Sequence, residues 1–309
     1  MSLHHSVGPT SARRHSWRPV GRALRPYVTL MRIPQWAKNG FVVLPAFFDP
    51  HAISRWAILR VALGVACFCL VSSGVYVLND FVDRERDRKH PRKRLRPLAA
   101  GHVASGKAAG LGIVLVVFGF GGALPITRSF GAIVGAYLAI NVAYSVWLKD
   151  VSILDIFCIA FGFVLRVEGG GALIGVWPSP WMVICSGLLA LFLATAKRRD
   201  DVIQDLDHDH RASLRGYSRG FLDASLTVFL GAAAVSYCVY TTDVQVRERL
   251  HTDQLYLTIP FVLAGCMRYL QIIFVEERAG SPVDVLYRDG FILSTIAGWI
   301  ATCWIIIYF

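Results

Sequence analysis

Residues 79–97 read NDFVDRERDRKHPRKRLRP and come directly after an apolar run at 56–78. Four acidic side chains, Asp80, Asp83, Glu85 and Asp87, lead into a dense block of Lys and Arg. A run of that length is what a helix needs to cross a hydrocarbon core of about 30 Å. The stretch therefore marks where a membrane span ends, and it places a carboxylate cluster wrapped in positive charge at that boundary.

The rest of the chain has the same grain. Of its 309 residues, 55% are hydrophobic and 17% charged, and the mean hydropathy is +0.50. Charge must sit in short segments between long uncharged runs, which indicates an all-α membrane protein with several spans. Nine runs qualify as transmembrane helices: 28–49, 56–79, 108–127, 130–148, 152–176, 180–196, 221–241, 255–275 and 290–309. The net charge of +11 does not call for nucleic acid, because the Lys and Arg lie in the loops, where topology and anionic lipid account for them. With the N-terminus inside, the cytoplasmic segments carry 25 of the 32 Lys and Arg and the outer segments 5. That split sets the N-terminus in and the C-terminus out. Residues 1–23 read as a flexible basic cytoplasmic tail, and 24–309 as one transmembrane domain. The seven cysteines all fall in apolar stretches without a C-x-x-C pair, so neither a disulfide framework nor a zinc site is supported.

Asp80, Asp83 and Asp87 are spaced i, i+3, i+7 and share one face if the helix continues. Three like charges so close repel and raise one another's pKa, so something must offset them. Carboxylate oxygens suit Mg²⁺, which commonly bridges a few protein carboxylates and a substrate's phosphates. A second acidic run, KRRDDVIQDLDHD, comes after the sixth span. It has Asp201 and Asp205 at i, i+4, with Asp200 and Asp207 nearby. Two clusters facing each other could hold two Mg²⁺ around a diphosphate. The competing reading of one acidic run is a solvated loop whose acids pair with Arg84, Arg86 and Arg88. Two runs at matching places in the topology favour the metal reading, and the surrounding cations then serve as phosphate ligands.

Other features read more plainly. Arg166 and Glu168 lie inside the fifth predicted span, where charges usually face a cavity. Arg166 binds a substrate phosphate there or pairs with an acid on another helix. The GGG at 169–171 permits close packing or a helix break. His208 and His210 read as an exposed loop. Trp36, Trp56, Trp147, Trp177 and Trp181 sit near span ends and read as interfacial anchors. The outer loop at 243–254 carries no chemistry.

The motif Asn79-Asp80-x-x-Asp83-x-x-x-Asp87, with Arg94-x-Arg96-Pro97-Leu98-x-x-Gly101 after it, resembles the first signature of the UbiA superfamily of intramembrane prenyltransferases. NVAYSVWLKD, from Asn141 to Asp150, is similar to that superfamily's fourth-helix motif. RIPQWAKN (32–39), HPRKRLRPLAAG (90–101) and LDIFCIAFGFVLRVEGGGA (154–172) resemble the decaprenyl-phosphate phosphoribosyltransferase branch. Arg199 and Asp201 stand where that branch carries an aromatic residue and Glu. The resemblance implies nine helices around a central cavity open to the cytoplasmic face of a bacterial inner membrane. It also implies transfer of 5-phosphoribose from phosphoribosyl diphosphate (PRPP) to a polyprenyl phosphate, giving the precursor of a lipid-linked arabinose donor. Cell-wall synthesis or rhizobial nodulation factors are the pathways served by such enzymes. A homo-oligomer is left open.

On that resemblance, Asp80, Asp83 and Asp87, with Asp201 and Asp205, bind Mg²⁺. Lys149 joins the first three in catalysis. Lys38, Lys89, Lys93, Arg94, Arg96, Arg166, Lys197 and Arg198 meet phosphates, and Gln35, Asn39, Asn79 and Tyr144 hydrogen-bond the substrate. Asp155 is expected to support Lys149. Two alternatives are an aromatic prenyltransferase, favoured by Asp201 and Asp205, and a carrier for phosphorylated metabolites or divalent ions. A carrier needs access from both faces, whereas both acidic clusters lie at one.

Overall fold

The computed structural model describes residues 20–52, 54–203, 212–276, 285 and 287–309. Every regular element among them is helical. Helix α1 (Val20–Met31) leads into a 3₁₀ helix (Ile33–Val42) and the short α2 (Leu44–Phe47). The long α3 (Arg55–Val82) is succeeded by α4 (Arg84–Lys89), which starts the basic block. Then come α5 (Ser105–Ala123), α6 (Arg128–Val146), α7 (Leu154–Ile174) and α8 (Pro180–Ile203). The chain ends with α9 (Arg219–Thr242), the short α10 (Val244–Leu250), α11 (Ile259–Phe274) and α12 (Gly290–Tyr308).

Among the described residues, eight helices are long and apolar enough to cross a membrane: α3, α5 to α9, α11 with its leading 3₁₀ turn, and α12. They match the second to ninth predicted runs closely. Ser54, Thr127, Ser218 and Asp289 cap the starts of α3, α6, α9 and α12, each accepting from a backbone N–H three residues on.

The first run, 28–49, is not the single helix expected. Arg32 takes the left-handed conformation (φ 51°), and Pro34 enters the 3₁₀ helix at its first turn. Together they separate α1 from the 3₁₀ helix. The segment is still tied to the bundle near both of its own ends. Arg32 bonds Asp80 near the C-terminal end of α3, whereas the Phe47 carbonyl accepts from Tyr308 at the C-terminal end of α12. At about 2.0 Å per residue, a 3₁₀ helix covers more length per residue than an α-helix.

That extended segment is packed by α7. A Cβ on Gly170 would lie 2.2 Å from the Val42 carbonyl oxygen and 2.9 Å from Pro45 Cδ. The GGG therefore makes a close contact surface, and α7 runs through it unbroken. Val42, Phe68, Phe130, Tyr137 and Leu173 form the neighbouring core. Phe48, Tyr237, Tyr240 and Leu255 form another. Trp56, Trp147 and Trp177 stand 74%, 70% and 80% exposed at helix ends, as interfacial anchors do. Trp36 and Trp181 instead donate to Ser73 and Asp243 inside the protein.

Gly170→Ala is expected to lower the melting temperature in detergent, by the about 1–3 kcal/mol typical of overpacking. Gly110, whose added Cβ meets nothing within 4 Å, is the control, and Gly110→Ala should not destabilise. Equal melting temperatures for the two variants would refute the packing role.

Candidate active site

The end of α3 carries its acids into a set of cations drawn from distant places in the chain. Asp80 is buried and accepts from Arg32 (2.5 Å) and Arg96 (3.1 Å) on the same oxygen. Arg96 also donates to Asp87 at 2.7 Å, and Lys149 donates to Asp83 at 2.5 Å. The i, i+3, i+7 spacing brings the three acids together, but their partners are Arg32, Arg96 and Lys149. Of the neighbouring arginines, Arg86 reaches Asp150 at 3.2 Å and Arg88 reaches Glu85 at 2.9 Å. Burial pushes the Asp87 carboxyl above its ordinary pKa; Arg96 opposes this, and Asp80 and Asp83 add to it.

Beside this cluster a small cleft of about 40 Å³ is lined by Asp83, Arg86, Asp87, His90, Lys93, Lys149 and Asp150. The 3₁₀ turn Leu148–Asp150, after α6, carries Lys149 and Asp150 into it. Lys89 and Arg94 are exposed on the same basic loop. Arg32, Arg86, Asp150 and His90 are site residues that the sequence does not single out. The acid Asp80 gives no clue to Arg32, which lies 48 residues earlier.

The three carboxylates suit a hard cation. Among the described residues, Asp80 and Asp83 accept hydrogen bonds only through Oδ1 and Asp87 only through Oδ2, so each retains its other oxygen. Among the same residues no three His, Cys, Asp or Glu close round one point. A divalent ion would therefore take one or two carboxylates and complete its shell with substrate phosphate, as Mg²⁺ usually does.

The second acidic run is organised differently. Arg198, wholly buried, donates to Asp155 (2.6 Å), Asp201 (2.9 Å) and Tyr144 (3.2 Å). Asp155 also accepts from Tyr217 (2.6 Å) and Ser213 (3.3 Å), and so braces Arg198. Burial, with Asp155 next, pushes the Tyr217 phenol upward, so it stays a donor. Its oxygen accepts from the Ile153 amide, and Ile153 holds the uncommon φ of 71°. Arg199, also buried, pairs with Asp223 and donates to the Ile273 carbonyl, tying α8 to α9 and α11. Lys197 is exposed on α8. Asp205, Asp207, His208 and His210 lie outside the described residues. The two clusters meet through α6 and the turn after it: Tyr144 touches Arg198, and Lys149 touches Asp83.

Inside the bundle, Arg166 donates to Asn39 (2.8 Å), the Gly162 carbonyl (2.7 Å) and Tyr137 (3.0 Å). Its guanidinium lies 4.7 Å from the Tyr137 ring centre. The buried Asn39 contacts Cys69 at 3.2 Å. Both thus fix the 3₁₀ segment to α7, α6 and α3. Lys38 is half-buried and lies near the Tyr76 phenol. Gln35 and Asn79 are half-buried, close in sequence to Arg32 and Asp80.

Residues 40–296 match the UbiA prenyltransferase family. The chain is 28% identical over 280 residues to a decaprenyl-phosphate phosphoribosyltransferase of Corynebacterium glutamicum, covering 88% of this chain and 84% of that one. It is 29% identical over 232 residues to the nodulation protein NoeC of Azorhizobium caulinodans, covering 72% and 74%. Its fold is similar to a UbiA homolog from Archaeoglobus fulgidus bound to GPP and Mg²⁺. That likeness has a TM-score of 0.70 at 17% identity and covers 92% of this chain and all of the other.

Asp155→Ala removes the acceptor of a fully buried guanidinium, at a cost of about 3–5 kcal/mol. A large fall in melting temperature is expected, partly recovered when Arg198→Met is added. An unchanged melting temperature would show that the pair does not brace this end of the bundle.

Proposed function

The chain belongs to the UbiA prenyltransferase family, and from that premise we propose that it transfers 5-phosphoribose from PRPP to a polyprenyl phosphate. It is a transferase in a membrane-embedded family; the donor and acceptor are the inference. The observation that carries it is the cleft in which Asp83 and Asp87 stand beside Arg86, Lys93 and Lys149. Carboxylates for a divalent ion and several cations for phosphate are what a donor with a diphosphate and a separate 5-phosphate requires. The phosphoribosyltransferase from Corynebacterium glutamicum, alike over most of both chains, supports the same reading.

Asp80, Asp83 and Asp87 are the carboxylates proposed for Mg²⁺, one or two of them to an ion, which when bound would offset the charge that grows on the departing diphosphate. Asp201 and Asp205 are the second candidate pair. Lys149 would meet the diphosphate, and Lys93, Arg94, Arg96, Lys89, Lys38, Lys197 and Arg198 are the cations proposed for the remaining phosphates. Arg198 would act through the residues it braces, because its own donors already meet Asp155, Asp201 and Tyr144. Arg166 and Asn39 act likewise, by fixing the segment that carries Gln35 and Lys38. As the C1–O bond to the diphosphate breaks, C1 becomes oxocarbenium-like. A phosphate oxygen of the lipid attacks from the opposite face, so the configuration inverts. That oxygen is already anionic, so no general base is needed, and the protein contributes positioning and electrostatics.

We infer that the first segment, tied to α3 through Arg32 and to α12 through Phe47, makes a ninth crossing. With nine, the N-terminus and both acidic clusters face the cytoplasm and the C-terminus faces out. A bacterial inner membrane is the proposed location.

The test is conversion by purified protein in detergent. Ribose-labelled PRPP, polyprenyl phosphate and Mg²⁺ should give label in the lipid phase, lost with EDTA. Asp83→Asn should reduce turnover by roughly 10²-fold or more, on the order of one lost electrostatic contact to the transition state, while the protein still inserts and folds. Near-normal turnover in Asp83→Asn would defeat the metal assignment. A parallel reaction with labelled prenyl diphosphate and 4-hydroxybenzoate tests the aromatic-prenyltransferase alternative. Product only there would replace the phosphoribosyl reading.

A further inference from the structure

Arg166 stands near the middle of α7 and is buried. Its three hydrogen-bond partners, Asn39, the Gly162 carbonyl and Tyr137, are all neutral. Glu168 is two residues on and therefore points to another face of the helix. Lys38 precedes Asn39 in the first segment, and both Lys38 and Arg166 lie near the Tyr76 phenol. The acids at the end of α3 leave nothing for these two cations. Asp80, Asp83 and Asp87 pair with Arg32, Arg96 and Lys149, three charges against three. Among the described residues, Arg166 and Lys38 form no ion pair with a carboxylate. Two positive charges inside a membrane-spanning bundle are costly without a counter-charge. A guanidinium that the fold nevertheless holds there with three hydrogen bonds implies an anion that arrives from outside the chain.

We propose that this anion is the phosphate of the lipid acceptor, and that it docks against Lys38 beside Tyr76. Arg166 is a positioning residue: it supplies charge from behind and, through Asn39, holds the segment that carries the lysine. The proposal deepens the phosphoribosyl-transfer reading and rests on it for the identity of the acceptor. A phosphate monoester carries about −1.5 to −2 charges at neutral pH, which matches the two cations. Lys38 is half-buried, so a ligand can reach its ammonium, whereas Arg166 is enclosed. Depth separates this place from the cleft. Tyr76 comes four residues before Asp80 on α3, about 6 Å further along the helix from the end that bears the acids. A soluble donor enters where the helix ends. An acceptor whose tail lies in the bilayer brings its phosphate in at a deeper level. Two levels also keep donor and acceptor from competing for the same cations.

The test uses purified protein in detergent, with Lys38→Met and Lys38→Arg. Polyprenyl phosphate alone, without PRPP or Mg²⁺, should raise the melting temperature of the wild type, and the uncharged polyprenol should not. Lys38→Met should lose that stabilisation. Without ligand it should melt no lower than the wild type, because it removes a charge that lacks a partner. In the transfer reaction Lys38→Met should raise KM for polyprenyl phosphate by at least about 10-fold, as expected for a lost hydrogen bond to a charged group. KM for PRPP should stay at the wild-type value, and Lys38→Arg should recover most of the lipid KM. Arg166→Lys, which keeps the charge, should hold the lipid KM closer to the wild type than Arg166→Gln, which does not. An unchanged lipid KM in Lys38→Met would overturn the proposal. So would a rise in KM for PRPP instead, which would assign the lysine to the donor, or equal stabilisation by phosphate and alcohol. A wild type that is stabilised by polyprenyl phosphate through Lys38 but moves no label from PRPP would defeat the donor assignment and leave this site standing.

Discussion

A single carboxylate oxygen of Asp80 accepts from two guanidiniums, and the arrangement of the site depends on that junction. Three acids packed so close, on α3, on α4 and at the junction between them, repel one another, and they coexist because each has a cation brought from elsewhere in the chain. Arg32 comes from the first segment, Arg96 from the basic loop and Lys149 from the turn after α6. The same contacts that relieve the repulsion therefore fix the relative places of four elements. They also leave each carboxylate an oxygen for a ligand, so stability and binding capacity arise from one set of bonds.

Much of the fold is legible because a bilayer imposes a length and a hydropathy on each crossing. Helix α8 exceeds its predicted limit of 196 and runs to Ile203. The sequence KRRDD reads as the start of a loop, since unpaired charges leave the membrane. Its arginines are in fact buried, because Asp155 and Asp223, distant in the chain, receive them. The first segment reads as one helix for a related reason. Its apolar content suits a span, but the left-handed turn at Arg32 and the proximity of α7 depend on tertiary contacts. At the site, spacing alone picks out Asp80, Asp83 and Asp87, and the fourth-helix motif picks out Lys149. The basic block advertises Lys and Arg by number and conceals His90, which lines the cleft with its Nδ1 accepting from two backbone amides that no pattern of residue types reveals.

The two acidic runs, similar on paper, differ in construction. The first presents its carboxylates to a cleft. In the second, the described acid Asp201 joins a buried knot of Arg198, Asp155, Tyr144, Tyr217 and Ser213. That knot grips the turn at Ile153, a few residues past Lys149. One acidic run thus faces the cleft while the described part of the other secures the turn leading into it.

The brace between Arg166 and Asn39 bears on how the protein is made. The two residues lie 127 positions apart, on α7 and on the first segment. Synthesis delivers the first segment to the membrane long before α7 exists. Until then its buried amide lacks the guanidinium, and its 3₁₀ path lacks the glycine surface it packs against. The segment must therefore wait in some other arrangement, sheltered by water, lipid headgroups or the insertion machinery, and settle late. Assembly of this bundle is not simply sequential: its first segment settles only after α7 has been made.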